Sequence, residues 1–195
     1  MNKKIEKIAV LGSGVMGSQI AAHVANAGLP VLLFDMNQEL SKKGLESALK
    51  IKPNAFFAPK CAELVKPCNY EDDLSKLSAC DWVIEVIAER IEWKTDLYNK
   101  ISSHLSDEAI LTSNTSGLQA NDLIEGMDEE LAHRFFITHF FNPPRYMKLV
   151  EIVKSAKTGT YIVNIRDDDN SRNISKSYTI SSADTWEKKT VTIPG

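Results

Sequence analysis

An α/β fold, doubly wound around a mostly parallel sheet with helices on both faces and followed by a short β-rich tail, is predicted by three observations. Short apolar runs alternate with helical stretches from Ile8 to about Val153. A glycine cluster, Gly12-Ser-Gly14-Val-Met-Gly17, separates the first apolar run from the first helical stretch. Near Ser155 the helical periodicity stops, and only β-type runs follow. Parallel strands need a crossover and a helix makes the best one, so this rhythm reads as a doubly wound sheet.

Each element has its own reason. Ile8-Ala-Val-Leu11 is unbroken apolar and ends in glycines, as a strand buried on both faces does. Val15 to Ala27 is helical in composition, with Gly28 as its stop. Pro30 to Phe34 is a strand closed by Asp35; Glu39 to Lys50 is a helix, and Pro53 and Pro59 break the connector after it. Asp81 to Ile87 is a strand, Glu92 to Leu105 a helix and Ala109 to Thr112 a strand, while Phe135 to Phe140 and Met147 to Val153 are β-like. The tail holds the β-type runs Tyr161–Ile165, Ser177–Ile180 and Thr190–Ile193, separated by polar turns. Two units are therefore expected, residues 1–155 and 156–195, and the second is too small to bury much core by itself.

Composition narrows the functional classes. The chain is 43% hydrophobic and 25% charged, ordinary for a globular protein. A net charge of −3, from 23 basic and 26 acidic residues, gives no footprint for nucleic acid or an anionic membrane. The apolar run Trp82–Ala88, with Glu85 inside it, is far too short to span a bilayer. Lysines before an apolar stretch at the start imitate a signal peptide, but Gly12, Gly14 and Gly17 interrupt the apolar part and no cleavage site follows. Cys61, Cys68 and Cys80 form no CxxC pair, so neither a disulfide framework nor a metal site is expected, and a cytoplasmic location is.

The glycine cluster is a G-x-G-x-x-G placed after a strand and at the opening of a helix. Its first glycine permits a tight turn, its second lets a pyrophosphate approach the backbone, and its third allows close helix–strand packing. Asp35 ends the second strand 18 residues after Gly17. A carboxylate there suits the ribose hydroxyls of NAD and repels the 2′-phosphate of NADP. Further along, His139 follows a β-run and precedes Phe-Phe-Asn-Pro, which places it at a strand end, where open α/β sheets put their ligands. Oxidising a hydroxyl by hydride loss needs a base for its proton, and a neutral imidazole suits that task. Glu151, on the next β-run, is placed to orient the ring. His23, His104 and His133 read as surface or packed residues.

The segments LGSGVMGSQIAAHVANAG (11–28), DWVIEVIAE (81–89), SNTSG (113–117) and THFFNPPRYMKLVEIV (138–153) occur together and in order. On these, residues 5–153 resemble the Rossmann-type NAD-binding domain of L-3-hydroxyacyl-CoA dehydrogenases, especially the dehydrogenase part of bacterial multifunctional fatty-acid β-oxidation proteins. The resemblance implies NAD-dependent oxidation of 3-hydroxyacyl-CoA to 3-oxoacyl-CoA. It implies His139 as catalytic base, Glu151 as its paired carboxylate and Ser116 as a substrate contact. It further implies cofactor contacts at Gly12, Gly14, Val15, Met16, Gly17, Asp35, Glu89, Lys94, Asn114, Ser116 and Asn142. Read without it, Glu89 and Lys94 could be an exposed pair at a helix start, and Ser116 a turn residue. Another Rossmann-type dehydrogenase acting on small hydroxy acids would leave the His139-Phe-Phe-Asn-Pro and Lys148-Leu-Val-Glu151 pattern unexplained.

The chain departs from that family after residue 153. Family members continue into an all-helical domain that closes the cleft over acyl-CoA and makes dimer contacts, whereas residues 158–195 resemble β-sandwich segments of phage structural and carbohydrate-binding proteins. Tyr161-Ile-Val-Asn164 echoes a family motif but arrives only 13 residues after Glu151, too soon for the helix that should intervene. The expectation is a truncated dehydrogenase joined to a truncated β-unit, able to bind NAD but slow or inactive in turnover, and prone to self-association through uncovered apolar surface. The competing expectation is a non-catalytic NAD-binding or interaction module whose tail binds glycan or protein.

Overall fold

The computed structural model describes residues 4–159, 161–165 and 176–180. Within them the apolar runs assemble into one seven-stranded sheet: β1 (Ile8–Leu11), β2 (Val31–Asp35), β3 (Val65–Asn69), β4 (Trp82–Glu85), β5 (Ile110–Ser113), β6 (Phe135–Phe140) and β7 (Val150–Lys154). The order across the sheet is β3-β2-β1-β4-β5-β6-β7. Six strands are parallel, and β7 returns antiparallel to β6. The connectivity reverses direction between β1 and β4, and a crevice opens there beyond the carboxyl ends of the strands.

Helices cover both faces, as predicted. α1 (Val15–Asn26) and α2 (Gln38–Lys50) lie over one face, where Ile8 and Val10 meet Ile20, Val24 and Ala48. α3 (Ile91–Ser102) and the short α4 (Ala120–Leu123) and α5 (Glu129–His133) lie over the other, where Ala9 and Leu11 share a core with Leu97, Ile101 and Phe135. Successive β1 residues thus serve opposite cores, so β1 is buried at every position. A strand sandwiched this way has no polar face to show.

β3 is absent from the sequence expectation, as are α4, α5 and two 3-10 turns, Pro59–Leu64 and Leu74–Ala79. Its sequence, VKPCN, holds a lysine and a proline and reads poorly as a strand. β3 is an edge strand, where a proline without an N–H is tolerated because one side of the ladder is unpaired. Past β7 the chain stays tied to the sheet. The Thr158 hydroxyl donates to the Phe135 carbonyl at 2.6 Å, and the Gly159 N–H donates to the His133 carbonyl at 2.9 Å.

β8 (Tyr161–Ile165) and β9 (Lys176–Ile180) pair antiparallel in a separate two-stranded sheet, with Val163 opposite Tyr178. The predicted run Thr190–Ile193 lies outside the described residues. No helix among the described residues is long and apolar enough to cross a membrane.

Candidate active site

Sterics at two of the three glycines of the turn leave no freedom of residue type. Gly12 has φ +106°, and a Cβ there would lie 2.7 Å from the Val86 carbonyl oxygen. At Gly17 a Cβ would fall 1.8 Å from the Gly12 carbonyl oxygen, so a bare backbone lets α1 sit against the turn. Gly14 is different: nothing lies within 4 Å of where its Cβ would be. It caps α1 with no side-chain hydrogen bond, and the first turn of the helix carries no acidic residue. Uncapped amides and an open approach form an anion cradle at the positive end of a helix dipole.

Asp35 stands beside this turn at the end of β2. Its carboxylate accepts from the Ser13 N–H at 2.8 Å, from the Ser13 hydroxyl, and from the Met36 N–H at 2.8 Å. α2 packs against the same point through Gly44, where a Cβ would come within 2.5 Å of the Ser13 carbonyl oxygen. Val15 is 64% exposed at the first position of α1. The residues present therefore fit a dinucleotide, with room at Gly14 for a pyrophosphate and a fixed carboxylate for a ribose.

A cleft of about 350 Å³ continues from the turn across the ends of β4, β5 and β6. Met16 contributes from α1; Val86, Ile87 and Glu89 from the loop after β4; Asn114 and Ser116 from the loop after β5; and His139 to Asn142 from the end of β6. His139 and Glu151 are direct partners across the β6–β7 ladder. Their side chains meet with Nδ1 3.0 Å from a Glu151 carboxylate oxygen, both about one-quarter exposed or less. Facing a carboxylate, which only accepts, a neutral ring holds its proton on Nδ1 and leaves Nε2 as the acceptor. Phe141 backs the ring, with centroids 4.6 Å apart. Asn114 braces the same strand by accepting from the Phe140 N–H at 2.8 Å, and Gln19 of α1 donates to the Asn142 side-chain oxygen at 3.2 Å.

Below the cleft lies a buried ionic cluster. The Lys94 ammonium, 1% exposed, donates to a Glu85 carboxylate oxygen at 2.6 Å and lies 3.4 Å from Glu89. Lys94 is thus not part of an exposed helix-start pair; it is directed inward from α3. Glu89 accepts from the Thr115 hydroxyl at 2.6 Å and from the Ser116 and Gly117 N–H groups at 2.8 and 3.3 Å. Burial by itself would raise the Glu89 carboxyl, but the bonds from Thr115 and Ser116, the Lys94 charge and the Gly117 N–H together hold it below the usual carboxylate range.

The 3-hydroxyacyl-CoA dehydrogenase, NAD binding domain family matches residues 7–177. The chain belongs to this family. A probable 3-hydroxyacyl-CoA dehydrogenase of Deinococcus radiodurans is 46% identical over 167 residues, covering 82% of this chain and 48% of that protein. A probable 3-hydroxyacyl-CoA dehydrogenase of Bacillus subtilis is 41% identical over 179 residues, covering 81% of this chain and 23% of that protein. The crystal structure of 3-hydroxybutyryl-CoA dehydrogenase from Escherichia coli superposes with a TM-score of 0.70 at 30% identity, covering 80% of this chain and 34% of that one. The chain therefore spans half or less of the length of these relatives.

Met16, Glu89, Asn114, Ser116, His139 and Asn142 line the cleft, Glu151 pairs with His139, Gly12, Gly14 and Gly17 form the adjoining turn with Asp35 bonded to it and Val15 exposed on it, while Lys94 is buried against Glu85. Sequence reasoning missed Glu85, Gln19 and Gly44. Glu85 carried a signal, as the lone charge in an apolar strand, and Gly44 carried another, as a glycine inside a helix. Gln19 gave none.

Proposed function

We propose that this chain carries the cofactor site and the catalytic base of an NAD-dependent 3-hydroxyacyl-CoA dehydrogenase, oxidising L-3-hydroxyacyl-CoA to 3-oxoacyl-CoA in fatty-acid β-oxidation. The observation that carries the reading is the His139–Glu151 pair, 3.0 Å apart, in the cleft that runs from the glycine turn. Bound NAD supplies the hydride acceptor. The amides at the start of α1 hold its pyrophosphate and Asp35 its adenosine ribose. His139 Nε2 takes the hydroxyl proton of the substrate while Glu151 fixes the tautomer and stabilises the resulting imidazolium. Ser116 and Asn142, which both line the cleft, would position the reacting oxygen and the cofactor. Run in reverse, the same imidazolium returns the proton to a 3-oxo group.

Reduction of acetoacetyl-CoA by NADH tests the reading at whatever absolute rate the chain shows. His139→Ala is expected to lower that rate about 10²–10⁴-fold, the usual contribution of a positioned base. A rate indifferent to His139 would overturn it.

A further inference from the structure

Glu85 has no solvent exposure and spends its whole accepting capacity on donors from three elements. One carboxylate oxygen accepts from the Lys94 ammonium at 2.6 Å and the Ile87 N–H at 2.7 Å. The other accepts from the Tyr98 hydroxyl at 2.7 Å and the Ser113 hydroxyl at 2.6 Å. The Ser113 oxygen then accepts from the Thr115 N–H at 3.3 Å, and Lys94 reaches on to Glu89, which holds the Thr115 hydroxyl and the Ser116 N–H. These bonds close a circuit: Glu85, Lys94, Glu89, Thr115, Ser113 and back to Glu85. The two loops it stitches together, 86–89 and 114–117, supply five lining residues of the cleft: Val86, Ile87, Glu89, Asn114 and Ser116.

Stability alone is a poor reason for such a pair. Taking two charges out of water costs most of what their attraction returns, and apolar residues of similar volume often serve as well. What a satisfied network adds is a fixed geometry for the groups it binds. We propose that Glu85 is a positioning residue for the nicotinamide side of the cleft: through Lys94 and Ser113 it sets the two loops that receive the nicotinamide ribose and the reacting atoms. This rests on the functional reading above. The adenosine side, built on Gly12 to Gly17 and Asp35, takes no hydrogen bond from the side chains of the circuit and meets loop 86–89 through the packing of Gly12 on the Val86 carbonyl.

The experiment compares NADH and AMP binding in the wild-type chain and in Glu85→Gln. A glutamine keeps the volume but removes the charge that Lys94 pairs with, so the Lys94 arm of the circuit weakens even though the Tyr98 and Ser113 hydroxyls can turn to accept from its NH₂. NADH affinity is expected to fall about tenfold or more while AMP affinity stays within about twofold. Should Glu85→Gln fail to fold, Ser113→Ala removes one arm of the circuit and leaves the Glu85–Lys94 pair intact; the same split is expected there at about threefold. Equal losses of NADH and AMP would mean a merely structural role and would overturn the proposal, as would unchanged NADH affinity. A wild-type chain that binds neither nucleotide would instead remove the functional reading, and this inference with it.

Discussion

On the β1–β2 side of the crevice the fit is backbone against backbone: Gly12 on the Val86 carbonyl, Gly17 on the Gly12 carbonyl, and Gly44 of α2 on Ser13. Across the reversal, on the β4–β5 side, the same kind of crevice wall is held by side chains, with Glu85 and Lys94 buried beneath loops pinned through Glu89 and Ser113. At Gly12 and Gly17 the first side excludes every residue but glycine, at a fixed spacing, so it leaves a motif. The second needs only complementary donors and acceptors, which many arrangements provide. A site can therefore be half announced by its sequence and half concealed.

The sharpest way to break this contrast is at the buried pair. Lys94→Met leaves the Glu85 carboxylate buried without its cation, and a loss of about 3–5 kcal/mol of stability in urea unfolding is expected. A loss within the noise of surface substitutions would mean that the side-chain half is not held as described. Gly17→Ala strikes the backbone half, where the new methyl meets a carbonyl that cannot retreat without moving the turn. About 1–3 kcal/mol of destabilisation is expected by the same measurement. Gly14→Ala separates packing from binding. With open space around it, unfolding should stay within about 0.5 kcal/mol of wild type while NADH affinity falls about tenfold, and a parallel loss of both would contradict the open approach.

A smaller effect comes from acid. The Glu89 carboxyl is held below its ordinary value of 4.5, so the stability it lends is complete above that value and lost as the pH falls through the lower folded one. NADH affinity should weaken over that acid range in the wild type, and Glu89→Gln should remove that step while weakening affinity at neutral pH.

Legibility followed the physics of each part. The buried strands β1, β2, β4, β5 and β6 announced themselves as apolar runs because both of their faces meet helices. β3 did not, since an edge strand can carry Lys66 and Pro67 and still pair with β2. His139 and Glu151 were readable as a pair because β6 and β7 are neighbours in both chain and sheet, so a short return places them opposite each other. The alternative reading of Lys94, as half of an exposed pair, failed for the opposite reason. Its position at the start of α3 suggests solvent, and only the fold reveals that the side chain runs inward to a carboxylate nine residues earlier.

The uncapped amides at the head of α1, with Asp35 beside them, are expected to hold NAD next to His139. Titrating the purified chain with NADH and NADPH, read by the change in nicotinamide fluorescence, addresses this expectation most directly. Saturable NADH binding, with NADPH at least about tenfold weaker because Asp35 opposes its 2′-phosphate, is the predicted result. Equal affinity for both nucleotides, or binding of neither, would contradict it.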